Sequence, residues 1–268
     1  MTHLKKNLFI SFCLMISLGY HTATQAFLKD LKFWKKGKEE TLSLSEAVSE
    51  KCNISITNLK GNINVKTWEK SKVVIEVKKE GSQEALDATT VIKKFAHNKL
   101  KIETISKDPK AKSTVHYDIL IPSSARLQSV TTDRGSITIA NISHGAMAKT
   151  EKGTITFENV KGPIKASTNR GSINIDAAEL IPEHKILAFS AKGNIKLSMP
   201  QGSDADVFFK TTRGSINSDI EITTQPRTMK FNSKTLAQLK RQASGTIGRG
   251  GSPIKLHTGS GNISVISS

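Results

Sequence analysis

The sequence contains few cysteines, few acidic residues and no long apolar run. It has two cysteines, and 23 acidic residues stand against 40 basic ones, which gives a formal net charge of +17. Cys13 lies in a predicted export signal, so the exported chain would keep Cys52 alone. A single thiol excludes an internal disulfide and is typical of a buried cysteine. The charge favours anionic partners and carries no information about the fold.

The longest apolar run lies near the N-terminus. Lys5 and Lys6 precede an apolar stretch over residues 8–20, and residues 24–26 (TQA) supply small residues for cleavage. This order is typical of a secretory signal, and the 13 apolar residues are too few for a membrane span. We therefore predict a signal peptide over 1–26 and an extracytoplasmic protein, periplasmic or secreted to the cell surface. An uncleaved anchor is the alternative.

Familiar catalytic and metal-binding motifs are missing as well. The sequence has no H-E-x-x-H, no P-loop, no G-x-S-x-G and no paired-cysteine metal motif. Its seven histidines are scattered without the spacing of metal ligands. We therefore expect a protein that is not an enzyme and that holds neither a cofactor nor a metal.

A six-residue phrase that ends in Gly-[Ser/Thr/Asn]-Ile recurs along the chain. It reads TDRGSI at 132–137, returns as TEKGTI, TNRGSI, SAKGNI and TTRGSI, and has an altered last copy, TGSGNI, at 258–263. The glycines of the first five copies lie 18 to 22 residues apart. Such a period is typical of a solenoid in which each repeat is one coil. We predict a structural corner at each of these glycines: Gly135, Gly153, Gly171, Gly193 and Gly214.

Apolar residues alternate with polar ones on both sides of each corner glycine. The positions two and four residues after the glycine are apolar, as in Ile155 and Phe157, which indicates a strand with one buried face. A second alternation precedes the glycine and leads to an inward Thr or Ser three positions before it. We assign its inward apolar residues in pairs, namely Ile164 with Ala166, Leu187 with Phe189, and Val207 with Phe209.

The two alternations are out of phase, so the chain must turn between them. Glycine suits this corner because a tight turn often needs a positive φ, and the inward Thr hydroxyl could satisfy a backbone group left unpaired there. Gly145 and Gly162 lie midway between corner glycines and indicate a second turn in each coil. The sequence therefore predicts an all-β fold, a β-solenoid of stacked two-strand coils with a hairpin-rich N-terminal cap.

We divide the chain into a signal, a linker and one domain. Residues 27–40 form a basic linker. Its first part, 27–36, mixes aromatics with lysines and could contact a membrane surface, although a solvated linker is the interpretation that we favour. Residues 41–268 form a single β-solenoid domain. Its parts are a cap with the first coils (41–125), regular repeats (126–218), an irregular insertion (219–250) and a final coil (251–268).

Three shorter patterns refine this division. Residues 91–105 predict a hairpin that turns at His97 and Asn98. Residues 85–88 show no clear period, so we expect a loop there. Within the insertion, residues 233–243 could form a helical turn or a loop.

A basic residue stands directly before each corner glycine. In stacked coils these residues would form a ladder with about 4.8 Å between rungs. Such a ladder could receive the repeated phosphates or acidic sugars of an anionic polymer. The alternative is that the long side chains are only solvated and keep the protein soluble. The candidate ligand-binding residues are Arg134, Lys152, Arg170, Lys192 and Arg213.

Acidic residues are rare at the predicted outward positions. A glycan-cleaving β-helix enzyme needs carboxylates on one outer face as acid and base, and the two outward columns after the corner contain none. Asp133 and Glu151 would lie on adjacent coils, where a weak cation site is conceivable, but ion pairs with Arg134 and Lys152 are the interpretation that we favour. The two columns are Ser136, Thr154, Ser172, Asn194, Ser215 and Thr138, Thr156, Asn174, Lys196, Asn217.

The order of these motifs resembles that of a bacterial family known as "putative adhesin", extracytoplasmic β-solenoid domains of unknown function. The similarity covers about residues 50–266. It is carried by ISITNLKGNINV at 54–65, by the strand YDILIP at 117–122 and by the repeated Gly-[Ser/Thr/Asn]-Ile. The resemblance implies the fold and an extracytoplasmic location, and it implies no ligand and no site residues.

Together these features predict a non-catalytic exported cell-envelope protein, an adhesin-like binding or scaffolding module for anionic envelope polymers or surface glycans. The alternatives are a glycan-active β-helix enzyme, lyase or hydrolase, and a purely structural module without a ligand. Nucleic acid is not among the partners that we expect.

Overall fold

The computed structural model describes residues 38–108, 110, 112–223 and 241–268. The predicted signal 1–26, the linker up to residue 37 and residues 224–240 of the insertion lie outside the described residues.

The described chain forms two ten-stranded sheets. Sheet 1 contains, in spatial order, β1 (Lys38–Ala47), β4 (Lys72–Gly81), β7 (Thr114–Pro122), β3 (Ile63–Trp68), β9 (Ile137–Ala140), β11 (Ile155–Val160), β13 (Ile173–Ala177), β15 (Ile195–Met199), β20 (Ile263–Ser267) and β17 (Ile216–Ser218). Sheet 2 contains β18 (Gln242–Ile247), β16 (Ala205–Arg213), β19 (Ser252–Ser260), β14 (Ile186–Lys192), β12 (Ile164–Arg170), β10 (Ala146–Lys152), β8 (Arg126–Arg134), β2 (Asn53–Lys60), β6 (Lys99–Ser106) and β5 (Thr89–Ala96).

Each regular coil places one strand in sheet 2 and the next strand in sheet 1. Equivalent residues of successive coils pair in parallel, so that Ile155 lies between Ile137 and Ile173. All three side chains are fully buried, and each contributes about 1.5–3 kcal/mol to the free energy of folding. The inward side chains of both sheets form one continuous core. The predicted all-β solenoid of stacked two-strand coils is confirmed.

Successive coils are in close backbone contact at the turn from sheet 2 to sheet 1. Gly153 has a φ of +153°, and a Cβ atom added to it would lie 2.0 Å from the carbonyl oxygen of Gly135 in the preceding coil. The same relation joins Gly171 to Gly153 at 1.9 Å. Any side chain at these positions would therefore collide with backbone.

A buried hydroxyl completes the hydrogen bonding of each corner. Ser190 donates to the carbonyl oxygen of Gly171 at 2.9 Å, and Thr258 donates to that of Gly193 at 2.8 Å. These are the residues three positions before the corner glycine, and their role as partners of corner backbone groups agrees with the prediction. Equivalent bonds come from Thr132, Thr150, Thr168 and Thr211.

The coils are not stacked in the order of the sequence. In sheet 2, β19 lies between β14 and β16, and in sheet 1, β20 lies between β15 and β17. The coil 252–267 is therefore last in the sequence but penultimate in space. The other end repeats this arrangement, because β2 and β3 lie between the later strands β6 and β7 on one side and β8 and β9 on the other.

Antiparallel strands cover the N-terminal end of the solenoid. β4 pairs with β1 and β7, and β5 pairs with β6 in a hairpin. As predicted, this hairpin turns at His97 and Asn98, which have φ values of +49° and +56°. Residues 85–88 were expected to form a loop, but they belong to the helix α1 (Gln83–Ala88), which is capped by Ser82. So short a helix contains too few residues to show a helical period.

The other end of sheet 2 is covered by β18, which pairs antiparallel with β16. Part of the predicted irregular insertion is thus a regular edge strand. The turn that follows is held by Asp204, which accepts hydrogen bonds from the backbone N–H and the guanidinium of Arg249. These bonds lower the pKa of Asp204. Across the described ranges, no helix has the length and apolar character needed to cross a membrane.

Candidate functional site

The basic residues before the corner glycines stand on one ridge of the solenoid. The backbone fixes their order, because the N–H of a corner glycine donates to the carbonyl oxygen of the residue at the equivalent rung of the next coil. Gly135 donates to Lys152 at 2.8 Å, and Gly171 donates to Lys192 at 2.9 Å. We call this row the corner ridge. In spatial order it consists of Lys60, Arg134, Lys152, Arg170, Lys192, Ser260 and Arg213.

This order differs from the predicted ladder at both ends. Ser260, on the inserted strand β19, separates Lys192 from Arg213. Lys60, which the prediction left out, pairs with Arg134 and extends the ridge at the other end. The ridge therefore carries five cations on consecutive coils, followed by a gap and then Arg213.

The ridge cations are exposed. Within the described ranges none of them forms an ion pair or a side-chain hydrogen bond. The predicted pairing of Glu151 with Lys152 is wrong, because Glu151 lies 3.7 Å from Lys149 and accepts a hydrogen bond from Asn169. Asp133 likewise forms no ion pair with a described residue. No cluster of His, Cys, Asp or Glu suited to a metal occurs in the described part of the chain.

A polar depression of ≈ 550 Å³ lies on sheet 1, directly beyond the corner from the ridge. The side chains of Asn194 and Asn262 there accept backbone N–H groups of the next coil. The side chains of Asn174 and Asn217 form no hydrogen bond with the described residues. The lining contains one cation, Lys196, and no carboxylate. The complete lining is Thr154, Ser172, Asn174, Asn194, Ile195, Lys196, Asn217, Asn262 and Ser264.

The part of the two outward columns that lines this depression contains no carboxylate. At the other end of sheet 1 the second column continues through Asn64 to Asp118 and Glu76. The structure adds Asn262 and Ser264 to those columns, and neither is acidic. Glu158 and Asp176 lie further along the strands, and Asp176 accepts the backbone N–H of Asn159 at the opposite turn. This hydrogen bond gives Asp176 a structural role at the turn.

Two further titratable groups are buried. Burial raises the pKa of the Cys52 thiol, although a hydrogen bond from the backbone of Leu100 opposes the shift. Burial also raises the pKa of Tyr117 to about 12, against the effect of its hydrogen bond with Thr104. Both groups are therefore held in their neutral forms within the core.

The assignment of Leu187 and Phe189 to the core is wrong. Ile186 and Ala188 are buried instead, whereas Leu187 is half-buried and Phe189 is 40% exposed on the outer face of sheet 2. The sequence contained the correct signal: counting back in steps of two from the inward Ser190 gives Ala188 and Ile186. The apolar character of all four residues from 186 to 189 concealed the phase.

These features define an open β-solenoid with a basic ridge, a polar depression and a partly apolar sheet face. The chain belongs to the Toastrack DUF4097 family, whose model matches residues 34–266. The resemblance to the "putative adhesin" family is thereby confirmed. No curated protein matches the chain in sequence.

Two solved structures with a similar backbone path belong to proteins described as adhesion proteins. A "putative cell adhesion protein" from Clostridium sporogenes is 11% identical, with a TM-score of 0.49 over 87% of this chain and 100% of that one. A "putative adhesin" from Bacteroides fragilis is 13% identical, with a TM-score of 0.33 over 85% and 97%. Both scores lie below 0.5, so neither structure supports an inference about function.

Proposed function

We propose that this chain is a non-catalytic, extracytoplasmic binding module that holds an anionic envelope polymer or an acidic surface glycan along the corner ridge. The observation that carries the proposal is the row of five exposed cations on consecutive coils, from Lys60 to Lys192, without a carboxylate partner among the described residues.

The spacing of the ridge suits a ligand with repeated negative charges. Neighbouring strands lie about 4.8 Å apart, and like charges at that distance repel each other, though solvent and salt weaken the repulsion. A polyanion would relieve this repulsion and release its counterions, so its binding should weaken as salt rises. Arg134 and Arg170 can each hold a phosphate or carboxylate through two parallel hydrogen bonds.

The polar depression supports the same class of ligand. The free amides of Asn174 and Asn217 can donate to and accept from the hydroxyl groups of a sugar or polyol. The depression begins directly after the turn that carries the ridge. A polymer with both acidic groups and hydroxyls could therefore contact both surfaces.

Binding to inorganic polyphosphate and to polygalacturonate tests the proposal. These probes separate phosphate recognition from recognition of sugar carboxylates. We expect a triple variant, Arg134→Gln with Lys152→Gln and Arg170→Gln, to lose about tenfold or more in affinity at low salt. The expected salt dependence is also shallower, by about one unit of slope for each lost contact.

The control removes the same number of charges at the opposite corner. Lys66, Arg126 and Lys185 are exposed and form no ion pair with a described residue. Their triple Gln variant should bind as the unmodified chain does. Equal losses in the two triples would assign binding to net charge alone and would contradict a ridge-specific site.

The extracytoplasmic location is tested separately by N-terminal sequencing of protein from the cell-envelope fraction. We expect a mature chain that begins near Phe27. A cytoplasmic protein that keeps Met1 would contradict this part of the proposal.

A further inference from the structure

The outer face of sheet 2 carries apolar side chains among lysines. Two rows of paired residues cross five consecutive coils there, and we call these ten residues the sheet 2 patch. The first row is Met147, Lys165, Leu187, Lys255 and Phe208, and the second is Lys149, Ser167, Phe189, His257 and Lys210.

The apolar members of the patch are accessible. Met147 is 42% exposed and Phe189 is 40% exposed, whereas Leu187 and Phe208 are half-buried. The Phe189 ring rests edge-on against His257, with 5.3 Å between ring centroids. Large apolar side chains that share one face of a folded domain mark an interaction surface more often than scattered ones do.

The charge of the patch restricts what can cover it. All four lysines are exposed. Only Lys149 forms an ion pair with a described residue, Glu151 at 3.7 Å. None of the ten residues is acidic. A second copy of this chain would bring the same lysines to the contact, and the repulsion disfavours that occupant.

We propose that the sheet 2 patch docks this protein on an anionic phospholipid surface. Phe189, Leu187 and Phe208 would enter the boundary between headgroups and acyl chains. The lysines would lay their aliphatic stems along the patch and place their ammonium groups at the lipid phosphates. This contact uses sheet 2 and is independent of the corner ridge.

A bilayer suits the patch better than an acidic protein does. Along the first row Lys165 and Lys255 alternate with Met147, Leu187 and Phe208, so that each large apolar side chain has a lysine beside it. A protein partner would anchor its central residues in a desolvated, well-packed cluster, whereas lysines interrupt the apolar part of this patch. A fluid lipid surface needs no pocket, since its molecules rearrange around separate side chains.

Vesicle flotation with the whole exported chain tests the proposal. The vesicles contain phosphatidylcholine, with or without phosphatidylglycerol. We expect binding to the anionic vesicles only. The double variant Leu187→Thr with Phe189→Thr should lose about tenfold in vesicle affinity through reduced apolar insertion. The triple variant Lys165→Gln, Lys210→Gln and Lys255→Gln should lose as much through reduced attraction to the lipid phosphates.

Two controls separate this contact from other basic surfaces. The ridge triple at Arg134, Lys152 and Arg170 should keep most of its vesicle affinity, and the patch variants should keep their polyphosphate affinity. A variant with Phe33→Ser and Trp34→Ser shows how much residues 27–36 contribute. Circular dichroism verifies the fold of each variant.

Several outcomes would overturn the proposal. One is that both patch variants bind vesicles as the unmodified chain does. This includes the case in which only the variant at Phe33 and Trp34 loses vesicle binding. Another is equal binding to vesicles without phosphatidylglycerol. A third is a loss of self-association in the Leu187 and Phe189 variant with vesicle binding intact, which would assign the patch to a second copy of the chain.

Discussion

Thr150 and Gly135 are joined across two adjacent coils, because the Thr150 hydroxyl donates to the carbonyl oxygen of Gly135 at 3.0 Å. The backbone N–H of Gly135 in turn donates to the carbonyl oxygen of Lys152, in the coil of Thr150, at 2.8 Å. The corner thus satisfies a carbonyl in the core and sets the position of a cation outside it. Backbone stacking, rather than attraction between charges, aligns the ridge.

Replacement of a corner glycine should be costly. In Gly153→Ala the new Cβ would lie 2.0 Å from the carbonyl oxygen of Gly135. Since every atom that the new Cβ would meet is backbone, the collision and the strained φ should together lower the free energy of unfolding by about 2–5 kcal/mol. Urea denaturation followed by circular dichroism measures this loss.

Gly202 provides the matched control for that experiment. It also has a positive φ, +75°, but an added Cβ would meet nothing within 4 Å. Gly202→Ala should therefore cost only the strain of the left-handed backbone, about 1–2 kcal/mol. An equal cost at both sites would show that coil contact does not explain the requirement for glycine at 153.

Two neighbouring residues at the start of β13 should respond in opposite ways to the same substitution. Ile173 is fully buried, whereas Ser172 lines the polar depression. Ile173→Ala should cost about 2–5 kcal/mol through the cavity it leaves, and Ile173→Asp should prevent folding because it buries an unpaired charge. Ser172→Asp should fold and unfold much like the unmodified chain. Equal damage from the two Asp variants would contradict the observed alternation.

The corners and the core of the coils could be predicted because their causes are local. A glycine with a positive φ, a Thr or Ser three residues before it and an Ile two residues after it belong to one short phrase. Every copy carries that phrase, as in Thr150, Gly153 and Ile155. The physical constraint that repeats with the coil therefore repeats in the sequence.

The order of the coils could not be predicted, because the same phrase specifies every corner. Nothing in TGSGNI at 258–263 shows that its coil lies between those of Lys192 and Arg213. The ridge was therefore predicted without its gap and without Lys60. The outward position of Phe189 was missed for a different reason, since neighbouring apolar residues allowed either phase.

Alkaline pH should destabilise the fold through Tyr117. Its pKa is raised to about 12 in the folded chain, against about 10 in an unfolded one. Below about pH 10 the phenol is neutral in both states, and its contribution to stability is complete. Between about pH 10 and 12 the unfolded chain ionises first, so the free energy of unfolding should fall as pH rises.

Tyr117→Phe isolates this contribution from the deprotonation of lysines, which both chains share. The variant should be less stable near neutral pH by about 1–3 kcal/mol, because the buried Thr104 hydroxyl loses its partner. Its stability should then fall less steeply above pH 10 than that of the unmodified chain. Parallel curves for the two proteins would show that Tyr117 does not control the alkaline loss.

The gap in the corner ridge offers a gain-of-function prediction. Ser260 occupies the rung between Lys192 and Arg213, and its carbonyl oxygen accepts the N–H of Gly193 at 2.8 Å, as the basic residues do on their rungs. The backbone there is thus already placed as for a ridge cation. Ser260→Lys should extend the ridge from five consecutive cations to seven, because it also connects Arg213.

A polyanion that spans the filled gap would contact at least one more cation. We therefore expect Ser260→Lys to raise polyphosphate affinity about three- to tenfold at low salt. The slope of log affinity against log salt should become steeper by about one, since one more counterion is released. The control is Ser143→Lys, which adds the same charge at an exposed position in the opposite turn. If both variants gain equally, the continuity of the ridge has no role. A larger gain from Ser260→Lys alone would mean that the ligand follows the coils in their spatial order, across the coil that the sequence places last.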